Sequence, residues 1–187
     1  MKKVLSFISA VAIFTGIALV PANAHVGVQL RGNTLEAGKS SRVYLSLGHG
    51  CSHQGKGYPT SEFIVKVPAA AGKPTPEFHY GFKTSVVASA TLDASNAPTF
   101  YTVSWKAKTL AHAIDDGTFY DFGLKVKWAV TPQVIPFETT QICYGSITNG
   151  KKLPLYLSWT ITDGSTKTAT VDTEFGPAPS VTTVKAA

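Results

Sequence analysis

Acidic side chains are scarce in this chain. Eleven Asp and Glu stand against 17 Lys and Arg, for a formal charge of +6. The excess cations are scattered, and beyond Lys2-Lys3 the one adjacent basic pair is Lys151-Lys152. No stripe of cations exists to track a phosphate backbone, so nucleic acid is not an expected partner, and the mild basicity reads as a solvation feature. Long apolar runs are also missing after the first 24 residues, which leaves nothing near the roughly 20 residues of a membrane span. Helical periodicity is weak throughout, with one turn near Ala107 to Ile114 as the best candidate. Catalytic signatures are absent too: no Gly-x-Ser-x-Gly elbow, zinc-protease helix or phosphate loop occurs. Asp115-Asp116 before Gly117 has the character of a turn. The chain is therefore not expected to be an enzyme.

Cysteine is limited to Cys51 and Cys143. In an oxidising compartment an isolated pair is usually a disulfide. A bridge between them closes a long loop, worth about 4–5 kcal/mol in the chain-entropy account. The alternative, a thiolate metal site, lacks the neighbouring Cys pair such sites use.

What is present begins with an export signal. Lys2 and Lys3 precede a mostly apolar run from Val4 to Val20, Pro21 breaks it, and Ala22-Asn23-Ala24 has the small-x-small form of a cleavage site. The expected organisation is a signal peptide over 1–24, a β-sandwich over 25–175 and a frayed tail over 176–187. The expected location is periplasmic or secreted, with the mature chain starting at His25.

After residue 24 the texture is β. Thr, Val, Tyr and Phe are abundant, and Gly or Pro recurs every dozen residues or so. Strands are expected over 26–30, 41–47, 61–67, 100–105, 120–128, 134–143, 155–161 and 167–173. Period-two alternation is clearest in Val43, Leu45 and Leu47, and in Phe122, Leu124, Val126 and Trp128. About eight short strands at near-regular spacing predict an all-β, immunoglobulin- or cupredoxin-like sandwich.

His25 is the residue with the most distinctive chemistry. Placed first after cleavage, it owns both an α-amine and an imidazole, so its amine nitrogen and Nδ1 can chelate one ion. Such nitrogen donors suit Cu(II), and both must be deprotonated to bind. Some residue must follow any cleavage site, however, so His25 alone does not establish a metal. His49 and His53 flank Cys51 in a Gly-rich loop and are weaker candidate ligands; His79 and His112 read as surface or structural.

Four ordered stretches carry a resemblance: Ala24-His25-Val26, His49-Gly50-Cys51, the Phe119 to Val126 run, and Gln141-Ile142-Cys143. Together they span about two thirds of the chain after residue 24. This set resembles the YcnI-like family of exported copper-binding domains. The resemblance implies a β-sandwich that holds Cu(II) through a monohistidine brace at His25, with a carboxylate nearby and a role in copper handling. Asp121 stands where the family usually has Glu, and is one methylene shorter; it reads equally as a solvent-facing strand residue. Cys51 and Cys143 match the family's two cysteines. The family tryptophan that closely follows the second cysteine is missing, and Trp159, beyond an insertion-like segment over 148–154, is the candidate replacement beside the metal. The expected function is a Cu(II) carrier, buffer or donor working with other envelope copper-handling proteins. The runner-up is a metal-independent envelope interaction or adhesion module, since sandwiches host many binding roles. A copper-dependent oxidase ranks below both, because no second histidine is assured for a two-histidine brace.

Overall fold

The computed structural model describes residues 25–186 apart from Gln54, Asn149 and Gly150. The expected signal peptide, residues 1–24, lies outside the described residues. In chain order the strands are β1 (Gly27–Gln29), β2 (Ser40–Leu47), β3 (Cys51–His53), β4 (Lys56–Tyr58), β5 (Thr60–Pro68), β6 (Thr75–Pro76) and β7 (Phe82–Ala88). They continue with β8 (Phe100–Ala107), β9 (Tyr120–Lys127), β10 (Val134–Pro136), β11 (Glu138–Thr148), β12 (Lys151–Ile161), β13 (Thr173–Pro177) and β14 (Ser180–Thr182). Two sheets build the sandwich, one ordered β1-β2-β9-β6 and the other β13-β12-β11-β5-β8-β7, while β3-β4 and β10-β14 form small ribbons. Among the described residues no helix is long and apolar enough to cross a membrane.

Alternation drives this arrangement, because successive side chains of a strand point to opposite faces. Val43, Leu45 and Leu47 of β2 and Phe122, Leu124 and Val126 of β9 pack inward against Phe63, Val65 and Val67 of β5 and Trp105 of β8. Phe122 lies at the centre of an aromatic cluster, with ring centroids 4.7 Å from Phe63 and 4.9 Å from Trp105. Burying a side chain of this size contributes about 1.5–3 kcal/mol. Cys51 and Cys143 form the expected disulfide, Cα to Cα 5.9 Å, and it fastens the β3-β4 ribbon to β11.

Three expectations need correction. The strand read over 167–173 forms instead at Thr173–Pro177, as a parallel edge beside β12. The preceding stretch is polar, and its turns are made by Asp163 and Asp172 accepting hydrogen bonds from nearby Ser and Thr. Residues 176–186 are not a frayed tail. β14 pairs with β10, Val181 and Thr183 are buried, and the Val184 N–H donates to the Leu35 carbonyl; a terminus tied into a ladder stays ordered. The strand read over 134–143 is two, split at Phe137, whose N–H turns away to the Pro179 carbonyl.

Candidate metal centre

β1 forms one edge of the four-stranded sheet and β13 one edge of the six-stranded sheet. These edges meet at His25. Val26 is buried in the core and anchors the chain there, while His25 itself is exposed and lines a small cavity of about 110 Å³. The other walls come from β12 and β13: Leu157, Trp159, Glu174, Phe175, Gly176 and Pro177.

The register explains this wall. Glu174 pairs with Leu157 and Gly176 pairs with Trp159. A Cβ on Gly176 would stand 2.9 Å from Trp159 Cδ1, closer than a real side chain comes. β13 therefore lies flat on the indole because residue 176 is glycine. Trp159 is 5% exposed: it is a core residue, and its ring also closes the floor beneath His25.

Asp121, the expected carboxylate, is engaged elsewhere. It lies opposite Ser46 of β2, which itself lies opposite Gly27, so two strand spacings, about 10 Å, separate its row position from β1. The Arg31 Nη2 donates to Asp121 Oδ2 at 2.5 Å, and this bond raises the Arg31 pKa. The Arg31 guanidinium also lies 3.8 Å over the Tyr44 ring. The left-handed turn at Arg31-Gly32, φ 49° and 80°, sends the side chain back across the sheet to reach both. Asp121 is not among the residues around the His25 cavity.

The remaining histidines divide by role. His49 donates through Nδ1 to the Gly50 carbonyl at 2.7 Å, and its own carbonyl accepts from buried Gln141 at 2.9 Å. It holds the loop beside the disulfide. His53 lines a neighbouring cavity of about 40 Å³ that shares Leu157 and Glu174 with the first. His79 is partly buried beneath the aromatic cluster, and desolvation lowers its pKa against the opposing pull of Glu77. Its Nδ1 is 2.8 Å from the Tyr120 hydroxyl. Among the described residues no three His, Cys, Asp or Glu side chains converge on a metal position.

The residue missed in the sequence is Glu174. It sits in Thr-Glu-Phe-Gly-Pro, between the end of the strand expected over 167–173 and the tail expected from 176. Its one signal is that an acid precedes an aromatic residue and a glycine in a chain poor in acids.

Neither a protein-family model nor a curated protein matches the chain. Among solved structures it is similar to an uncharacterized protein from Nocardia farcinica with an immunoglobulin-like fold. The TM-score is 0.55 at 16% identity, over 86% of this chain and 98% of that one. The sandwich is immunoglobulin-like. At this identity the likeness shows the fold alone. A second structure, AvmM, which catalyses macrocyclization in alchivemycin A biosynthesis, gives a TM-score of 0.31 at 9% identity, over 86% of this chain and 88% of that one. That similarity carries no argument.

Proposed function

We propose that this chain is an extracytoplasmic Cu(II)-binding domain of the YcnI-like kind, acting as a copper carrier, buffer or donor. Cleavage after Ala24 would free the α-amine of His25. That amine, His25 Nδ1 and the Glu174 carboxylate would hold the ion, and copper is cargo rather than a catalytic cofactor. The carrying observation is that His25 and Glu174 line one small cavity floored by Trp159. A mixed nitrogen and oxygen donor set suits Cu(II). Two side chains plus one backbone amine also agree with the absence of any three-side-chain cluster among the described residues. Glu174 takes the part first expected of Asp121, which Arg31 already holds. The exposed setting of His25 and Glu174 suits an ion that must be taken up and handed on.

The test is a Cu(II) titration of protein processed to begin at His25, followed by tryptophan fluorescence. One equivalent should bind and quench Trp159 emission. A processed protein that takes up no Cu(II) would contradict the reading.

A second reading has its own observation. Phe78, Tyr80 and Phe119 are each more than 70% exposed, and the Tyr120–His79 hydrogen bond brings their two loops to one end of the sandwich. Exposed aromatics of this kind mark contact surfaces, which favours an interaction module. Substituting Phe78 and Phe119 with Ser should then abolish function and leave metal uptake intact.

A further inference from the structure

The outer face of the four-stranded sheet carries a larger cavity of about 310 Å³, lined by Arg42, Tyr44, Thr75, Glu77, Gly123 and Lys125 among others. Its base is set by register. Arg42 lies directly opposite Lys125, and Lys125 directly opposite Thr75. One row across β2, β9 and β6 therefore presents a guanidinium, an ammonium and a hydroxyl over about 10 Å. Like charges directly opposite one another destabilise a strand pair.

The six-stranded sheet has one such pair too, Lys83 opposite Lys106, but the Glu62 carboxylate on the neighbouring strand answers its charge. There Lys66 faces Glu138 at 2.8 Å and Lys106 faces Glu62 at 3.1 Å, each a cation opposite a carboxylate. Arg42 and Lys125 make no ion pair among the described residues. In the four-stranded sheet the row of Arg42, Lys125 and Thr75 contains no carboxylate to answer its two cations.

The next row holds the opposite charge. Gly123 faces Tyr44, and a Cβ on Gly123 would collide with the Glu77 carboxylate. Glycine thus leaves the space that Glu77 fills. The Glu77 backbone is pinned on both sides: its N–H donates to the Gly123 carbonyl at 2.8 Å, and its carbonyl accepts from Trp105 Nε1 at 3.1 Å. Tyr44 is only 8% exposed, because Arg31, held by Asp121, stacks over it. The cavity has a cationic end, an anionic side and one fixed aromatic wall.

We propose that this cavity binds a small zwitterion, a free α-amino acid or dipeptide. Arg42 and Lys125 take its carboxylate, Thr75 adds a hydroxyl donor, and Glu77 takes its ammonium. Ligand cavities run from roughly 300 to 1,000 Å³, so this one fits a ligand at the small end of the range. The site shares no residue with the His25 cavity, so it stands or falls independently of copper binding.

The test is an NMR titration of metal-free processed protein with glycylglycine, with acetate and ethylammonium as separate half-probes. Glycylglycine should shift the amides of residues 42–44, 75–77 and 123–125 saturably at millimolar concentration. Arg42→Gln and Glu77→Gln should each weaken it at least tenfold, with unchanged spectra elsewhere as the control for folding. Acetate binding as tightly as glycylglycine, with no effect of Glu77→Gln, would reduce the site to a simple anion site and overturn the proposal. The absence of saturable shifts at these amides would overturn it as well.

Discussion

Asp121 and Glu174 are both strand carboxylates, one in the sheet that contains β1 and the other in the sheet that faces it. On β9, Asp121 sits inside the four-stranded sheet, its side chain 14% exposed and bound by Arg31. On β13, Glu174 sits on an edge strand, exposed, beside the cavity that His25 lines. Asp121 takes its partner from the turn after β1, where Arg31 reaches across β2 to its carboxylate. A carboxylate on an edge has a neighbouring strand on one side only, and its other side faces whatever approaches. Position in the sheet, rather than residue type, separates a structural acid from a candidate ligand.

The two regions are also fastened differently, and the largest prediction follows from that. The Asp121 face is held by continuous ladders from β1 to β6, whereas Cys51, Ser52 and His53, which line the neighbouring cavity that shares Glu174, are held by the disulfide. Replacing Cys51 and Cys143 with Ala should cost about 2–5 kcal/mol in denaturant unfolding. Hydrogen exchange should rise first in β3 and β4 and last in β2 and β9.

Next in size is the direct contrast of the two acids. Glu174→Gln should weaken Cu(II) binding about 100-fold, the upper range for loss of a group that supports a metal, while Asp121→Asn should change it less than threefold. Competition titration against a chelator reads both. The reverse ranking would return the carboxylate role to Asp121.

Gly176→Ala probes the edge without touching a charge. Its Cβ must displace the Trp159 ring, and overpacking of this kind costs about 1–3 kcal/mol. A thermal melt should show the loss together with a shift in tryptophan emission. On the other face, Asp121→Asn should cost about 1 kcal/mol or less, shrinking with added salt, because Arg31 is half exposed.

The smallest effect concerns pH. Burial lowers the His79 pKa in the folded state. As pH falls below about 6.5 the unfolded chain takes up a proton that the folded chain resists. The stability present at neutral pH is therefore lost progressively below that point, until the folded imidazole also titrates. Denaturant midpoints at pH 7.5 and 5.5 should differ, and His79→Asn should reduce the difference.

Much of the sandwich was legible in the sequence because its central strands alternate. Val43, Leu45 and Leu47, and Phe122, Leu124 and Val126, announce both period and inward face. The cysteine pair announced its bridge. Edge strands carry no such signal, since only one side of them is paired and polar residues are tolerated on both faces. β7, with Lys83 and Ser85 interleaved among Thr84 and Val86, went unread for that reason. So did β13, and Glu174 with it. β14 was hidden by small residues that look mobile until Val181 and Thr183 are seen to be buried. Of the proposed site, His25 was readable from its place after Ala24. The carboxylate proposed beside it was not, because parallel pairing between β12 and β13 joins positions that share no local pattern.

The most direct test of the copper reading moves one atom group and leaves every side chain in place. Processed protein beginning at His25 is compared by Cu(II) EPR with the same protein carrying one additional N-terminal Ala. The account predicts one bound Cu(II) with nitrogen hyperfine structure in the first, and loss of that signal in the second, because the α-amine no longer belongs to His25. Identical spectra from the two proteins would contradict it and move the search to His49 and His53.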